Sequence, residues 1–191
     1  MSRSLVNPEL TLFSYEILGL VGRGGAGAHD LLRMAQRGRF LAWAGESQYY
    51  VEPKRLATLG YLEARREPGK TRERTVYTLT DKAFDALRAW AETPVVFTPI
   101  KSELLTRLLI ADLVGDAATR KGVAALRDDI DDLFIRLEEA EAMAETLPHR
   151  RANLLRVTSF LRRFFDLHLE LVDEVEREVA PEAPASTPQP R

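Results

Sequence analysis

Apolar residues recur at helical spacing near the start of the chain, at Leu10, Phe13, Ile17, Leu20 and Val21. They predict a first helix opening at Asn7-Pro8 or Thr11. Gly22-Arg-Gly-Gly-Ala-Gly27 breaks it. A second short helix runs through Leu31, Leu32 and Ala35 and stops at Gly38, and Phe40-Leu-Ala-Trp43 suits a brief strand or a packing segment. Ser47 is placed to cap a third helix that reaches Leu59 and ends at Gly60, the usual place for a left-handed residue. Tyr61–Arg66 and Arg72–Leu79 then read as two strands. In the second, Thr75, Tyr77 and Leu79 alternate with Arg74, Val76 and Thr78, and Pro68-Gly69-Lys70 supplies the turn of a hairpin. A fourth helix starts at Thr80 or Asp81 and turns Phe84, Leu87 and Trp90 inward.

Beyond Thr93-Pro94-Val-Val-Phe-Thr-Pro99, which reads as an extended connector, the pattern is helical throughout. Ile100 to Leu113 predicts a short, strongly apolar helix ended by Gly115. Val123, Leu126, Ile130, Leu133, Leu137, Ala140, Ala144 and Leu147 then step by threes and fours, a heptad seam broken at Pro148. A last helix carries Leu154, Val157, Leu161, Phe164, His168, Leu171 and Val175 on one seam. Beside it lies a second stripe of Phe160 and Leu167, with Phe165 and Val172. Two stripes require burial of more than one face. The expected fold is mainly α with a small β-hairpin: a winged helix-turn-helix over 1–92, a linker over 93–99, a helical dimerisation domain over 100–179 and a disordered, proline-rich tail over 180–191.

Composition narrows the chemistry. The 191 residues contain no cysteine, which excludes disulfides, thiolate metal sites and Cys nucleophiles. Only His29, His149 and His168 are present, far apart in sequence, so no metal or cofactor is expected. No apolar run approaches the ~18 residues of a membrane span, and the start lacks a secretory signal, so a cytoplasmic protein is expected. The net charge of −2 conceals a division. Residues 1–92 hold 14 Lys and Arg against 11 Asp and Glu, net +3, and residues 93–191 hold 13 against 18, net −5.

Gly22-Arg-Gly24-Gly-Ala-Gly27 is a literal G-x-G-x-x-G with Glu46 nineteen residues on. A dinucleotide site needs a preceding strand and a βαβ alternation. The preceding segment reads as a helix and no alternation follows, so the run is expected to be a glycine-rich link. Residues 47–74 matter more: seven bases (Lys54, Arg55, Arg65, Arg66, Lys70, Arg72, Arg74) stand against four acids. Clustered cations suit phosphate oxygens, and Ser47, Gln48 and Tyr49 at a helix N-terminus can reach base edges. The competing reading of those charges is a solvated hairpin. The element order favours double-stranded DNA, with a non-catalytic protein-interaction module on a winged-helix scaffold as the alternative.

The heptad seam could close an intramolecular hairpin or pair two chains. The surplus apolar surface of the last helix favours a homodimer through Leu126, Ile130, Leu133, Leu137, Leu161, Phe164, His168 and Leu171. Asp128-Asp-Ile-Asp-Asp132 reads as a solvated face, because Ile130 belongs to the seam. His168 is expected to be a core residue bonded to a neighbouring helix; the alternative is a ligand or pH gate. Trp43 and Trp90 read as packing residues.

Leu12-Phe-Ser-Tyr-Glu-Ile-Leu-Gly-Leu-Val21, Gly27-Ala-His-Asp-Leu-Leu32, Trp43, Ser47-Gln-Tyr-Tyr50, Lys54-Arg-Leu56, Leu59-Gly-Tyr-Leu62, Val76-Tyr-Thr-Leu-Thr80 and Ala89-Trp90 together resemble the PadR family of bacterial transcriptional regulators over about residues 10–92. The acidic remainder is similar to the helical domain of the family's longer subgroup. The resemblance implies a winged-helix repressor that binds a palindromic promoter site as a homodimer. The third helix, Ser47–Arg55, would enter the major groove and the wing, Lys70–Arg74, would touch the backbone beside it. Tyr50 stands at the family's recognition-helix tyrosine. It also implies a small-molecule effector near the domain junction or dimer interface, for which Trp43, Phe97 and Phe164 are the aromatic candidates. Two departures stand out: Ala28-His29 where the family commonly has Gly-Tyr, and Pro53 inside the third helix, where it should kink or restart the helix.

Overall fold

The computed structural model describes residues 7–38, 44–68, 73–98 and 100–178. They fall into two compact units, one within residues 1–98 and one within 99–191. In the first, α1 (Leu12–Val21), α2 (Ala28–Gly38) and α3 (Gln48–Thr58) precede strands β2 (Leu62–Glu67) and β3 (Arg74–Leu79) and helix α4 (Asp81–Ala91). The helix ends obey local chemistry. Thr11 and Ser14 form a reciprocal capping box at α1, with Thr11 Oγ1 accepting the Ser14 N–H at 3.1 Å and Ser14 Oγ accepting the Thr11 N–H at 2.9 Å. Gly60, at φ +79, ends α3 in a Schellman motif: the Tyr61 N–H donates to the Leu56 carbonyl at 2.9 Å and the Gly60 N–H to that of Ala57 at 3.0 Å. Thr80 caps α4, and its hydroxyl donates to the Gly60 carbonyl at 2.8 Å, tying the start of one helix to the end of another.

Leu10, Ile17, Leu18, Leu31, Ala35, Tyr49 and Leu56 are fully buried in one core, and burial of each large apolar side chain stabilises by roughly 1.5–3 kcal/mol. Leu87 and Trp90 of α4 pack on its edge half-buried, and Trp90 stacks on Tyr15 at 4.4 Å with an 8° interplanar angle. Tyr77 of β3 belongs to this core, and adjacent Val76, on the other face of the strand, is buried outside it.

The first unit departs from expectation at the glycine-rich run. Beyond linking two helices, it holds a further strand, β1 (Ala26–Gly27), which pairs antiparallel with β3 in a sheet of order β1-β3-β2. Two residues carry no alternation to read. What permits the pairing is Gly25, at φ +72, where an added Cβ would lie 2.9 Å from the Tyr77 carbonyl oxygen and 3.0 Å from the Thr78 methyl. Two further corrections concern α3. It runs unbroken across the fully buried Pro53, without a restart. Ser47 occupies its N-cap position with helical φ and ψ (−58°, −29°) and makes no side-chain capping bond. The 40–43 segment, including Trp43, lies outside the described residues.

In the second unit the expected 100–113 helix is two pieces, α5 (Glu103–Leu109) and α6 (Ala111–Val114), divided at Ile110 and stopped by Gly115 at φ +85. The seam helix is likewise divided, into α7 (Asp116–Ala124) and α8 (Leu126–Glu145), although Ala125 keeps helical angles. An antiparallel α9 (Arg151–Glu178) returns along them. Val123 joins Leu104, Val172 and Val175 in one cluster, and Ile130 and Leu137 join Leu161 and Phe165 in another. Arg127 bridges Asp173 and Glu176, and Arg162 reaches Glu141 at 3.1 Å while lying over the Phe134 ring. The two stripes of α9 are therefore sorted differently from expectation. Phe165 and Val172 point inward, and Val157 faces solvent with Phe160 and Leu167.

Gly25→Ala is expected to lower unfolding stability by about 1–3 kcal/mol, since it adds a positive-φ penalty to a backbone clash. Gly24→Ala, whose Cβ meets nothing within 4 Å, should change it by less than about 0.5 kcal/mol. Denaturant midpoints of the two variants provide the check.

Candidate nucleic-acid interface

The third helix divides sharply into two faces. Tyr49, Pro53 and Leu56, at steps of four and three, are buried. Ser47, Val51, Lys54 and Thr58 follow one another at steps of four, three and four on the opposite face, flanked by Gln48 and Tyr50, and all six are exposed. The inner face is held by polar contacts as well as apolar ones. Tyr49 lies edge-on to Phe13 at 5.1 Å and donates its hydroxyl to Glu16 Oε1 at 3.2 Å; burial, then the Glu16 carboxylate, pushes its phenol well above the ordinary range.

Glu52 and Arg55 form the second grip. The guanidinium donates to Glu52 through Nε at 2.8 Å and Nη2 at 2.6 Å, to the Glu9 carbonyl at 3.0 Å and to Ser14 Oγ at 3.1 Å. Ser14 in turn donates to Glu52 Oε1 at 2.7 Å, so the residue that caps α1 also anchors α3. Burial alone would raise the Glu52 pKa. The Arg55 and Ser14 hydrogen bonds outweigh it and hold the carboxyl below its ordinary value. Hydrogen bonding to Glu52 likewise raises Arg55.

These contacts redistribute the expected DNA-facing residues. Ser47, Gln48, Tyr50 and Lys54 lie together on the outer face, and the Lys54 ammonium has no carboxylate partner among the described residues. Tyr49 and Arg55 do not join them, one being a core residue and the other a clamp onto α1. Arg74 is also engaged, pairing with Asp30 at 3.2 Å and Glu67 at 3.6 Å and so tying the wing to α2. Lys70 and Arg72 lie outside the described residues. Arg65 pairs with Glu63 at 2.9 Å and Arg66 with Glu73 at 3.4 Å.

Ser14, Glu52 and the Glu9 carbonyl hold the back of α3 in place, and sequence reasoning missed them. Two signals were present: a serine on the apolar stripe of α1, and an acid three residues before Arg55 on one helix.

In the second unit, Ile130, Leu137 and Leu161 are buried between α8 and α9 of the same chain, with Leu126, Leu133 and Phe164 packed beside them. Leu171 packs against the Leu104 cluster. His168 is half-buried and bonds within its own helix, Nδ1–H donating to the Phe164 carbonyl at 2.8 Å; the expected bond to a neighbouring helix is not what holds it. Phe164 lies between Phe160 and His168, with ring centroids at 6.2 and 4.5 Å. Phe97 is 84% exposed in the connector, and Trp43 lies outside the described residues.

No protein-family model matches the chain, and no curated protein sequence matches it. Solved structures do share its fold. The Bacillus subtilis PadR in complex with operator DNA superposes with a TM-score of 0.61 at 19% identity, over 86% of this chain and 99% of that one. A PadR-like transcriptional regulator from Bacillus cereus reaches 0.67 at 15% identity, over 91% and 97%. The Bacillus subtilis PadR in complex with p-coumaric acid gives 0.55 at 17% identity, over 87% and 99%. The winged helix-turn-helix followed by a helical region is thus the fold of PadR-type regulators.

Glu52→Gln is expected to lower stability by about 1–2 kcal/mol near neutral pH, since the charge-assisted bonds weaken at a partly exposed site. The folded pKa of Glu52 lies below its unfolded value, so the unfolded chain takes up the proton first. The stabilisation is complete above the ordinary value of 4.5 and drains away as pH falls through the lowered folded value. Denaturation of both proteins across an acid pH series should show their stabilities converging.

Proposed function

We propose that the chain is a sequence-specific, double-stranded-DNA-binding transcriptional regulator without catalytic activity. The observation that carries this reading is the outer face of α3. It presents hydroxyl, amide, phenol and ammonium groups and no carboxylate, while the only acid of the helix, Glu52, is turned inward and neutralised by Arg55. A helix with one bare face and a firmly held back suits insertion into a major groove. The fold it shares with a PadR solved on operator DNA supports the same reading.

The regulator acts as a homodimer on a palindromic promoter site in the cytoplasm, as a repressor, because a two-fold site is matched by a two-fold protein. The expected contacts are Ser47, Gln48, Tyr50 and Lys54 from α3 with Lys70 and Arg72 from the wing. Pairing through the second unit uses the apolar surface that the intrachain hairpin leaves outside: Leu105, Leu109 and Leu113, with Val157, Phe160 and Leu167, each about half exposed or more. A small apolar or aromatic effector is part of the proposal. Its support is the p-coumaric acid complex of the Bacillus subtilis protein and the aromatic candidates of this chain, Phe97 and Phe164 with Trp43.

Binding to the duplex upstream of its own coding sequence should fall steeply with salt, by roughly 10³–10⁵ between about 50 and 200 mM for about 6–10 phosphate contacts. Lys54→Ala should weaken binding and reduce the salt slope by about one while leaving the melting temperature unchanged. Arg55→Ala should instead lower the melting temperature, because its guanidinium belongs to the fold. Fluorescence anisotropy at several salt concentrations tests both. Salt-independent binding, or no preference over a scrambled duplex, overturns the reading.

A further inference from the structure

The outer face of α3 contains one residue that phosphate contact does not explain. Val51 is 61% exposed at the centre of that face, one turn from Ser47 and adjacent to Lys54, with Tyr50 beside it at 39%. Its Cβ branch makes it one of the poorer helix formers, and an exposed helical position gives it no packing in return. The rest of the face is polar, so a generic protein-docking patch is a poor fit, and the lone ammonium and absent carboxylates favour a polyanion.

A polyanionic groove offers such a side chain one apolar partner at base-edge level. The C5-methyl of thymine projects into the major groove, and it is the group there that an aliphatic side chain contacts in place of a hydrogen bond. Gln48, one turn earlier on the same side, carries the amide that pairs with the N6 and N7 of adenine. The rear of the helix is fixed by Tyr49 on Glu16 and by Arg55 on Glu52, Ser14 and the Glu9 carbonyl, so the position of Val51 is set by the core.

We infer that Val51 is a specificity-determining residue that reads the thymine methyl of an A·T pair at the centre of each half-site, with Gln48 available to an adenine beside it. The inference rests on the DNA-binding reading above and adds the base that the helix selects.

The full-length chain is used to select from a randomised duplex library, and binding to the enriched duplex is compared with binding to the same duplex carrying deoxyuridine in place of each thymidine in turn. Uracil keeps the Watson–Crick edge and removes only the methyl. The expected result is an invariant thymine in each half-site whose replacement weakens binding about three- to tenfold, the worth of one methyl buried at an interface. Val51→Ala should lose the same factor on the thymine duplex and should no longer distinguish thymine from uracil, with an unchanged melting temperature. Three results overturn the assignment while leaving DNA recognition standing: enriched sites without an invariant thymine, indifference to every uracil replacement, or a Val51→Ala protein that still distinguishes the two bases. Failure to enrich any sequence, together with salt-independent binding, overturns the DNA reading itself.

Discussion

Arg55 joins the two helices on which the first unit depends. Its planar guanidinium carries donors in a fixed fork, and four of its bonds converge on Glu52, Ser14 and the Glu9 carbonyl. Ser14 belongs at once to the capping box of α1 and to the Glu52 contact, so the start of one helix and the middle of another share a single hydroxyl. With Tyr49, Pro53 and Leu56 buried around this network, α3 has little freedom to roll. The Schellman turn at Gly60 and the Thr80 hydroxyl fix its far end against the sheet and α4. The outer face can then remain open without loss of order, because its position is determined entirely from behind.

The same contacts change the meaning of the charge balance. A surplus of bases in residues 1–92 suggests a field directed at phosphate. Yet Arg55, Arg65, Arg66 and Arg74 each have a carboxylate of the same unit within 3.6 Å. Exposed pairs of this kind contribute little stability, but they compensate the charges they join. Lys54 is the cation on α3 that retains an uncompensated charge toward solvent, so the polarity of the face comes more from excluding acids than from accumulating bases.

Features governed by neighbouring residues were legible in the sequence. Thr11, Gly60 and Thr80 set helix ends through bonds within a few positions, and the heptad positions from Val123 to Ala144 are among the less exposed residues of their helices. Features governed by distant partners were not. The strand at Ala26–Gly27 exists because β3 lies beside it, and two residues carry no period. Tyr49 and Arg55 belong to a stretch rich in groove-reading residue types, but the position of each around the helix decides its role. Steps of four and three link Tyr49 to Pro53 and Leu56, and that spacing points to the core. On α9 two apolar stripes lie side by side, and the choice between Val157 and Phe165 as the inward residue depends on the packing of α8, which the α9 sequence does not contain.

Leu105, Leu109 and Leu113 carry most of the apolar surface of α5 and α6, and all three face water in the single chain. On the dimeric reading these side chains gain burial from a second copy. Mass action then couples the conformational stability of the helical unit to the abundance of the protein. A cell holding few molecules would contain chains whose helical units are individually less stable and more readily cleared by proteolysis. On that reading accumulation would stabilise each chain further, and the assembly equilibrium would set a threshold amount of protein below which few paired chains exist.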